Sequence, residues 1–177
     1  MTEISTKADA YFARYAYPDW LREHSLLVGR IGETLCGAHR RRAELEAEAV
    51  ILAAYLHDIG RSPLVAGDGR EHNELSALIL AAEGLSACAE LARRHPVYTV
   101  LDPASAPRSL AEKIVYVADR RGGLAVQSIE ERARDTAARH PRFAAEIERA
   151  IPIARRIERE VFADMPFAPD ELEAKLS

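Results

Sequence analysis

The sequence predicts an all-α fold, a compact bundle of several helices, from three observations. Apolar residues recur at three- and four-residue steps over most of the chain, which is the periodicity of one helix face. Stretches that contain glycine or proline separate these periodic segments. The chain has 177 residues and is 48% hydrophobic, which is enough for a buried core in one domain, or in one domain with a helical extension.

The first predicted helix begins at Pro18, because a proline early in a helix loses no hydrogen bond through its missing N–H. A basic turn over 37–42 leads to a second helix over 43–57, which Gly60 is predicted to end. A loop with one proline and two glycines follows over 61–70. The buried face of the first helix is a row that includes one histidine: Leu21, His24, Leu27, Val28, Ile31 and Leu35.

Two shorter helices are predicted next, over 72–83 and 86–94. His95 stands at the end of the second, and the proline after it disfavours further helix. An irregular connector with two prolines then spans 98–108.

The following helix is predicted to begin at Ser109 and to run toward Asp119, and a pair of glycines breaks it. Two more helices are expected, at about 126–139 and 141–162. Their amphipathic pattern fits either a cover for the site or a contact between two subunits, so a homo-oligomer is one open possibility. The acidic, proline-broken tail that follows is expected to be loosely held.

Composition argues against several classes of protein. The 24 Lys and Arg residues against 28 Asp and Glu give a formal net charge of -4, whereas a nucleic-acid-binding protein usually has a basic excess. The first nine residues are polar, and no apolar stretch is long enough to span a membrane. We therefore expect a cytoplasmic protein without a nucleic-acid or membrane partner. Cys36 and Cys88 lack any paired spacing and are predicted to be small buried hydrophobes.

The most informative stretch is Tyr55-Leu56-His57-Asp58-Ile59-Gly60-Arg61, where an adjacent His-Asp pair follows an apolar helix. Burial of an imidazole and a carboxylate is costly unless each has a partner, and a metal ion would be one. Neighbours on a regular helix point about 100° apart, so His57 and Asp58 reach one ion only near a helix end. Imidazole and carboxylate together favour divalent first-row metals: manganese, iron, cobalt, nickel or zinc.

One ion needs more ligands than this pair, and separate predicted helices supply them. His24 on an apolar face and Asp119 after an apolar run would complete a first site. A second ion, held by His72 and His95 with Asp58 as a bridge, would use the whole set. Two ions roughly 3.5–4 Å apart can clamp a phosphoryl oxygen, so the set indicates phosphate chemistry with two ions.

Each ligand also has a simpler interpretation, and it is the ordered set that favours a metal site. The simpler assignments are a core histidine for His24, a polar helix-start residue for His72, a dipole-favoured helix end for His95 and a surface ion pair with Arg120 and Arg121 for Asp119.

Basic residues near the ligands are candidates for substrate contact. Arg61 follows the His-Asp pair and can bind phosphate through two parallel hydrogen bonds, so it is the first choice. Lys113 and Arg120 flank the last aspartate, and Arg70 closes the loop before the third predicted helix. The alternative is that these residues are solvated surface charges.

Four other residues are predicted to lie outside the chemistry. His39 and His140 stand in arginine-rich surroundings and are expected on the surface. Tyr98 and Tyr116 could stack on a base, but partly buried structural tyrosines are the favoured interpretation.

The motifs resemble those of the HD-domain metal-dependent phosphohydrolase superfamily. Residues 56–61 are similar to its HDIG form, residues 112–119 resemble the stretch that brings its last aspartate, and His24 stands where its first metal histidine is expected. His72 and His95 resemble the dinuclear branch, which includes the HD-type symmetrical dinucleoside tetraphosphate hydrolases. The resemblance implies a single HD domain over 1–177, with a core at about 18–123 and a helical extension at about 124–163.

The resemblance also implies hydrolysis of a phosphoester or phosphoanhydride bond in a small phosphorylated substrate, most simply a nucleotide or dinucleotide, by a metal-activated hydroxide. Asp58, Arg61 and Lys113 are then the expected catalytic residues. One alternative is a mononuclear phosphatase in which His72 and His95 contact the substrate phosphate. Others are a metal-stabilised nucleotide-sensing module without turnover and a plain structural bundle.

Overall fold

A computed structural model describes residues 2–176, and its regular secondary structure over that range is helical, as predicted. The α-helices are α1 (Glu3–Arg14), α2 (Asp19–Ala38), α3 (Ala47–Leu56), α4 (His72–Ala82), α5 (Ser86–Arg93), α6 (Leu110–Arg121), α7 (Ile129–Arg139), α8 (Ala144–Phe162) and α9 (Leu172–Lys175). Short 3₁₀ helices lie at Arg42–Glu44, Ile59–Arg61, Pro63–Val65, Val97–Leu101, Pro141–Phe143 and Pro169–Glu171. None of the described helices is long and apolar enough to cross a membrane.

Helix α3 is the centre of the bundle. Its Val50 and all residues over 52–56 are buried, which is the pattern of a helix enclosed on every side. Helices α1, α2, α5 and α6 pack around it. The His-Asp pair directly after α3 therefore lies in the interior of the molecule.

Helices α6 and α7 both begin with a capping box. Ser109 and Ser128 each accept a hydrogen bond from the backbone N–H three residues later, and Glu112 and Glu131 reciprocate at the serine N–H. The predicted helix start at Ser109 is thus confirmed, and both helices have a fixed first turn.

Both termini differ from the expectation. Helix α1 was not among the predicted elements, yet its Ala8 and Phe12 enter the main core. The loosely held tail is wrong as a prediction, because Met165 and Leu172 are buried in the same core. Ile4, Tyr11 and Tyr15 near the N-terminus, and Phe167 and Leu176 in the tail, also pack against the core, so each segment docks through apolar residues spaced among polar ones.

Gly60 has a different role from the predicted one. Helix α3 already ends at Leu56, and Gly60 lies in the following 3₁₀ helix. A Cβ at Gly60 would lie 2.1 Å from the His72 carbonyl oxygen and 2.7 Å from the Ser76 nitrogen, so glycine permits close approach of α4. The Gly60 N–H donates to Ser76 Oγ at 2.9 Å, which fixes the start of α4 beside the His-Asp pair.

Predictions about isolated polar residues had mixed outcomes. His39 was expected on the surface but is fully buried, with its Nδ1 accepting the Arg41 N–H at 3.1 Å. Cys36 and Cys88 are free and buried, as predicted. Burial raises the pKa of Cys36 to about 12 and that of Cys88 to about 11, so both thiols stay protonated.

Candidate metal centre

The six predicted ligands come together in the interior. They lie on α2, on the segment after α3, at the start of α4, just after α5 and near the end of α6. The potential ligand atoms form three overlapping groups, and within each group all atoms lie within 4.8 Å of one another. The groups are His24, His57 and Asp58; Asp58, His72 and His95; and His57, His95 and Asp119.

Asp58 stands between two sets of histidines. Its Oδ2 lies 3.8 Å from His24 Nε2 and 3.7 Å from His57 Nε2. Its Oδ1 lies 3.4 Å from His72 Nε2 and 3.2 Å from His95 Nε2. The two carboxylate oxygens thus face different partners, which is the arrangement of a bridging ligand.

The first set, which we call the Asp119 side, consists of His24, His57 and Asp119. Asp119 Oδ1 lies 3.4 Å from His24 Nε2 and 3.7 Å from His57 Nε2, and the two Nε2 atoms are 3.1 Å apart. All three side chains are less than 15% exposed. Four potential ligand atoms, with Asp58 Oδ2, therefore surround one small volume.

The second set, the His72 side, consists of His72 and His95, whose Nε2 atoms are 3.2 Å apart. Arg61 lies over it: its Nη2 is 3.0 Å from His72 Nε2, and its Nε is 2.9 Å from Asp58 Oδ1. The Arg61 side chain is 37% exposed, so this side opens toward solvent.

Hydrogen bonds fix the protonation of two histidines. His57 Nδ1 lies 2.8 Å from the Ala54 carbonyl oxygen, and His95 Nδ1 lies 2.6 Å from that of Ala92. A carbonyl oxygen only accepts, so both Nδ1 atoms carry a proton, and in the neutral form of such a ring Nε2 presents its lone pair to the cluster. Metal-binding histidines are commonly oriented in this way by a backbone carbonyl.

This tautomer leaves acceptors facing acceptors. The lone pair of the neutral His57 Nε2 lies 3.7 Å from the ionised Asp58 Oδ2 and 3.7 Å from the ionised Asp119 Oδ1, and none of these atoms has a proton to donate. A cation between them would convert this repulsion into attraction. The donor set therefore fits a divalent ion bound by imidazole and carboxylate.

The charge states suit metal binding. Burial lowers the pKa of His57 to about 4 and that of His72 to about 3, so both are neutral at pH 7. Burial alone would raise the pKa of Asp58 and Asp119. Positive neighbours outweigh it, chiefly Arg61 for Asp58 and Arg120 for Asp119, and hold both pKa values well below the ordinary range. Neutral imidazoles and ionised carboxylates are the forms that bind metal ions.

Two buried arginines hold Asp119. Arg120 pairs with its Oδ2, while Arg132 from α7 places Nη2 3.6 Å from Oδ1 and donates from Nε to the Asp119 carbonyl oxygen at 3.4 Å. The surface ion pair considered for Asp119 is therefore wrong, since Asp119, Arg120 and Arg121 are all buried. Sequence reasoning missed Arg132, which lies in a mixed-charge run that reads as a solvated helix face.

Several predicted residues lie elsewhere. Lys113 Nζ is 2.8 Å from Glu160 on α8, and its place six residues before Asp119 puts it about 120° around α6. A direct role for Lys113 at a phosphate stays a prediction. Arg70 pairs with Asp68 in the exposed loop. Tyr116 is fully buried, as expected of a structural tyrosine.

Comparison with known families gives one match. Residues 21–122, more than half of the chain, match the HD domain family. The matched segment contains all six predicted ligands and Arg61, and it ends before α7. Comparisons with curated proteins and with solved structures gave no significant match.

Proposed function

The chain belongs to the HD-domain family, whose members are generally metal-dependent hydrolases, and we propose that it is a metal-dependent phosphohydrolase. Its substrate is a phosphoester or phosphoanhydride, most simply a nucleotide or dinucleotide. The observation that carries the proposal is the convergence of the six predicted ligands in three overlapping groups, two of which share Asp58. A structural bundle would have no use for four histidines whose Nε2 atoms meet two ionised carboxylates in its interior.

We assign the ligands to two ions. The Asp119 side together with Asp58 would hold one ion, and the His72 side together with Asp58 would hold the other. A bound divalent ion supplies Lewis acidity toward a phosphoryl oxygen and lowers the pKa of bound water toward neutrality. Burial of His57, Asp58, His95 and Asp119 lowers the local dielectric constant, which strengthens these electrostatic effects.

Arg61 is the proposed phosphate-binding residue. A neutral His72 Nε2 has one lone pair, so it cannot both accept from Arg61 and bind an ion. Ion binding at His72 would release the Arg61 guanidinium at the exposed mouth of the site. There it can donate two parallel hydrogen bonds to substrate phosphate.

The experiment is phosphate release from a panel of substrates in the presence of manganese, iron, cobalt, nickel or zinc. The panel contains p-nitrophenyl phosphate, nucleoside mono-, di- and triphosphates, and dinucleoside polyphosphates. We expect Asp58→Ala to lose at least about a thousandfold in rate, because several kcal/mol of metal-derived stabilisation disappears. The control, Asp68→Ala, removes a carboxylate from the exposed loop and should stay within a few-fold of wild type.

Two results would contradict the proposed site or the proposed activity. Activity that survives unchanged in both His57→Ala and Asp58→Ala would overturn the proposed site. Tight nucleotide binding without phosphate release under any metal condition would indicate a sensing module instead of an enzyme.

A mononuclear enzyme is the second candidate, and one observation favours it. Ligand atoms of His57, His95 and Asp119 also lie within 4.8 Å of one another, so a single ion could use both sides at once. His72 would then be free to contact phosphate. The number of ions bound per chain distinguishes the two forms of the proposal.

A further inference from the structure

An exposed tyrosine lies beside the His72 side of the site. Tyr98 is part of the 3₁₀ helix Val97–Leu101 and follows His95 by three residues. Its hydroxyl oxygen lies 3.3 Å from Oδ1 of Asn73, the residue directly after His72 at the start of α4. Tyr98 is therefore close to one ligand of this side along the chain, and to the other through a hydrogen bond to its neighbour.

Hydrogen bonds fix the direction in which this side chain points. Asn73 is buried, and its Nδ2 donates to the Arg93 carbonyl oxygen at 2.7 Å, so its Oδ1 faces Tyr98 as an acceptor. Burial raises the pKa of Tyr98 to about 12, so its hydroxyl is protonated and can donate to that oxygen. The polar end of Tyr98 is thus turned toward a buried partner.

This orientation is the reverse of the usual one. Surface tyrosines commonly bury the apolar ring and leave the polar tip in water. Tyr98 is 37% exposed although its hydroxyl contacts Asn73, so the exposed part includes the aromatic ring. A purely structural role, which the sequence favours for this residue, does not require such exposure. A ligand that covers the ring would remove apolar surface from water, which is favourable.

The backbone next to Tyr98 is held in place. Thr99 is buried, and its hydroxyl is within hydrogen-bond distance of two carbonyl oxygens, that of Pro96 at 2.7 Å and that of Arg94 at 3.0 Å. The ring is therefore anchored through its backbone at one end and through its hydroxyl at the other. An aromatic surface that is already ordered loses little conformational freedom when a ligand packs on it.

The proposed phosphate-binding residue lies on the same side of the site. Arg61 Nη2 is 3.0 Å from Nε2 of His72, the residue before Asn73, and the Arg61 side chain is partly exposed. A phosphate at Arg61 and an aromatic group on Tyr98 can thus belong to one substrate molecule.

We propose that Tyr98 is a specificity-determining residue whose exposed ring stacks on a planar aromatic group of the substrate, such as a nucleobase. Offset stacking of two aromatic rings is favourable beyond the surface area that it buries. Phosphates of aliphatic alcohols should then bind less tightly than nucleotides. This inference rests on the proposed function, because it assumes that the phosphate binds at the ions and at Arg61.

The test is a binding measurement that does not depend on turnover. Calorimetry on the full, zinc-loaded chain compares the non-hydrolysable α,β-methylene analogue of adenosine diphosphate with methylenediphosphonate, which lacks the nucleoside. We expect Tyr98→Leu to weaken binding of the adenosine probe at least about fivefold, because stacking on an aromatic side chain is lost. Binding of methylenediphosphonate should not change. Tyr98→Phe keeps the ring and should bind both probes as wild type does.

Leu78→Ala is the matched control. Leu78 is also an exposed apolar residue, but it lies six residues after His72 on α4 and so about 120° around that helix. Its removal should change the affinity for neither probe. An effect of Leu78→Ala equal to that of Tyr98→Leu would overturn the assignment to Tyr98.

Nuclear magnetic resonance of the bound probe gives a signal that a merely structural role of Tyr98 would not produce. The adenine protons should shift upfield on binding to wild type and to Tyr98→Phe, because the current of a stacked ring shields them, and should not do so with Tyr98→Leu. Equal loss of both probes in Tyr98→Leu, or unchanged binding of the adenosine probe, would overturn the inference. If phosphate release persists in that case, the proposed function stands and only the stacking residue is wrong.

Discussion

The Asp119 side and the His72 side of the site are built differently. Asp119 is fixed from both oxygens by two buried arginines, one from its own helix and one from α7. The His72 side has no carboxylate of its own among the described residues and shares Asp58 Oδ1 with Arg61, a partly exposed residue at the mouth. On the Asp119 side the carboxylate is already held in place for an ion. On the His72 side an ion would have to displace Arg61 from Asp58 and His72.

This difference predicts unequal ions. The Asp119 side offers oxygen atoms from two carboxylates and nitrogen atoms from two histidines, whereas the His72 side offers one carboxylate oxygen and two nitrogens. The ion on the Asp119 side should therefore bind more tightly, and the ion on the His72 side should exchange more readily.

Loss of Asp119 gives the largest expected effect. Asp119→Ala removes a ligand and leaves Arg120 and Arg132 without their carboxylate, so the tighter ion should weaken by more than about a hundredfold, the upper loss seen for second-shell partners alone. Titration of manganese into chelator-treated protein measures this loss. An affinity within a few-fold of wild type would mean that the first ion does not use this side.

Acidification of the metal-free protein comes next. His57 and His72 have pKa values of about 4 and about 3 when folded, against the ordinary 6.5, so the unfolded chain binds more protons between these values. The contribution of these histidines to the free energy of unfolding should therefore be fully present above pH 6.5 and should fall as the pH drops toward 4. His57 alone accounts for on the order of 3 kcal/mol, at about 1.36 kcal/mol per pKa unit.

The measurement is urea unfolding of chelator-treated protein at a series of pH values. His57→Gln should flatten the profile, because the variant has no imidazole to protonate on unfolding. The same measurement on His72→Gln gives the contribution of His72 to the pH dependence of the free energy of unfolding. A stability that stays constant from pH 6.5 to 4.5 in wild type would contradict the buried, neutral state of both histidines.

A smaller effect is expected at Gly60, which affects the His72 side alone. Gly60→Ala forces a Cβ against the His72 carbonyl and should cost about 1–3 kcal/mol, the usual price of overpacking. It should also weaken the more loosely held ion, because α4 carries His72. Gly37→Ala is the matched control, since a Cβ there meets nothing within 4 Å. Equal melting temperatures for the two variants would contradict this role of Gly60.

Four of the six proposed ligands could be selected from the sequence because each has a local signature, whereas His72 and His95 follow from the ordered set as a whole. His57 and Asp58 end a strongly apolar helix, His24 interrupts an apolar row, and Asp119 follows a capped helix start. These signals depend on periodicity and on residues close in sequence. The structure adds that these side chains come together in overlapping groups in the interior.

Other features could not be predicted because they depend on contacts between distant segments. Arg132 belongs to a helix of low mean hydropathy, and only the packing of α7 on α6 turns it toward Asp119. The close approach of α4 that requires Gly60 is likewise a tertiary contact. His39 is buried although its neighbours are arginines, because the chain turns inward there and Arg40 donates to the Asp164 carbonyl oxygen.

The most direct test of the two-sided site is the number of first-row metal ions per chain, measured by elemental analysis of wild type and His72→Ala purified without chelator. We expect close to two ions in wild type and close to one in His72→Ala, with the ion on the Asp119 side retained. One ion in both proteins would contradict the second site and leave a mononuclear enzyme. No metal in wild type, even after reconstitution, would contradict the metal centre itself.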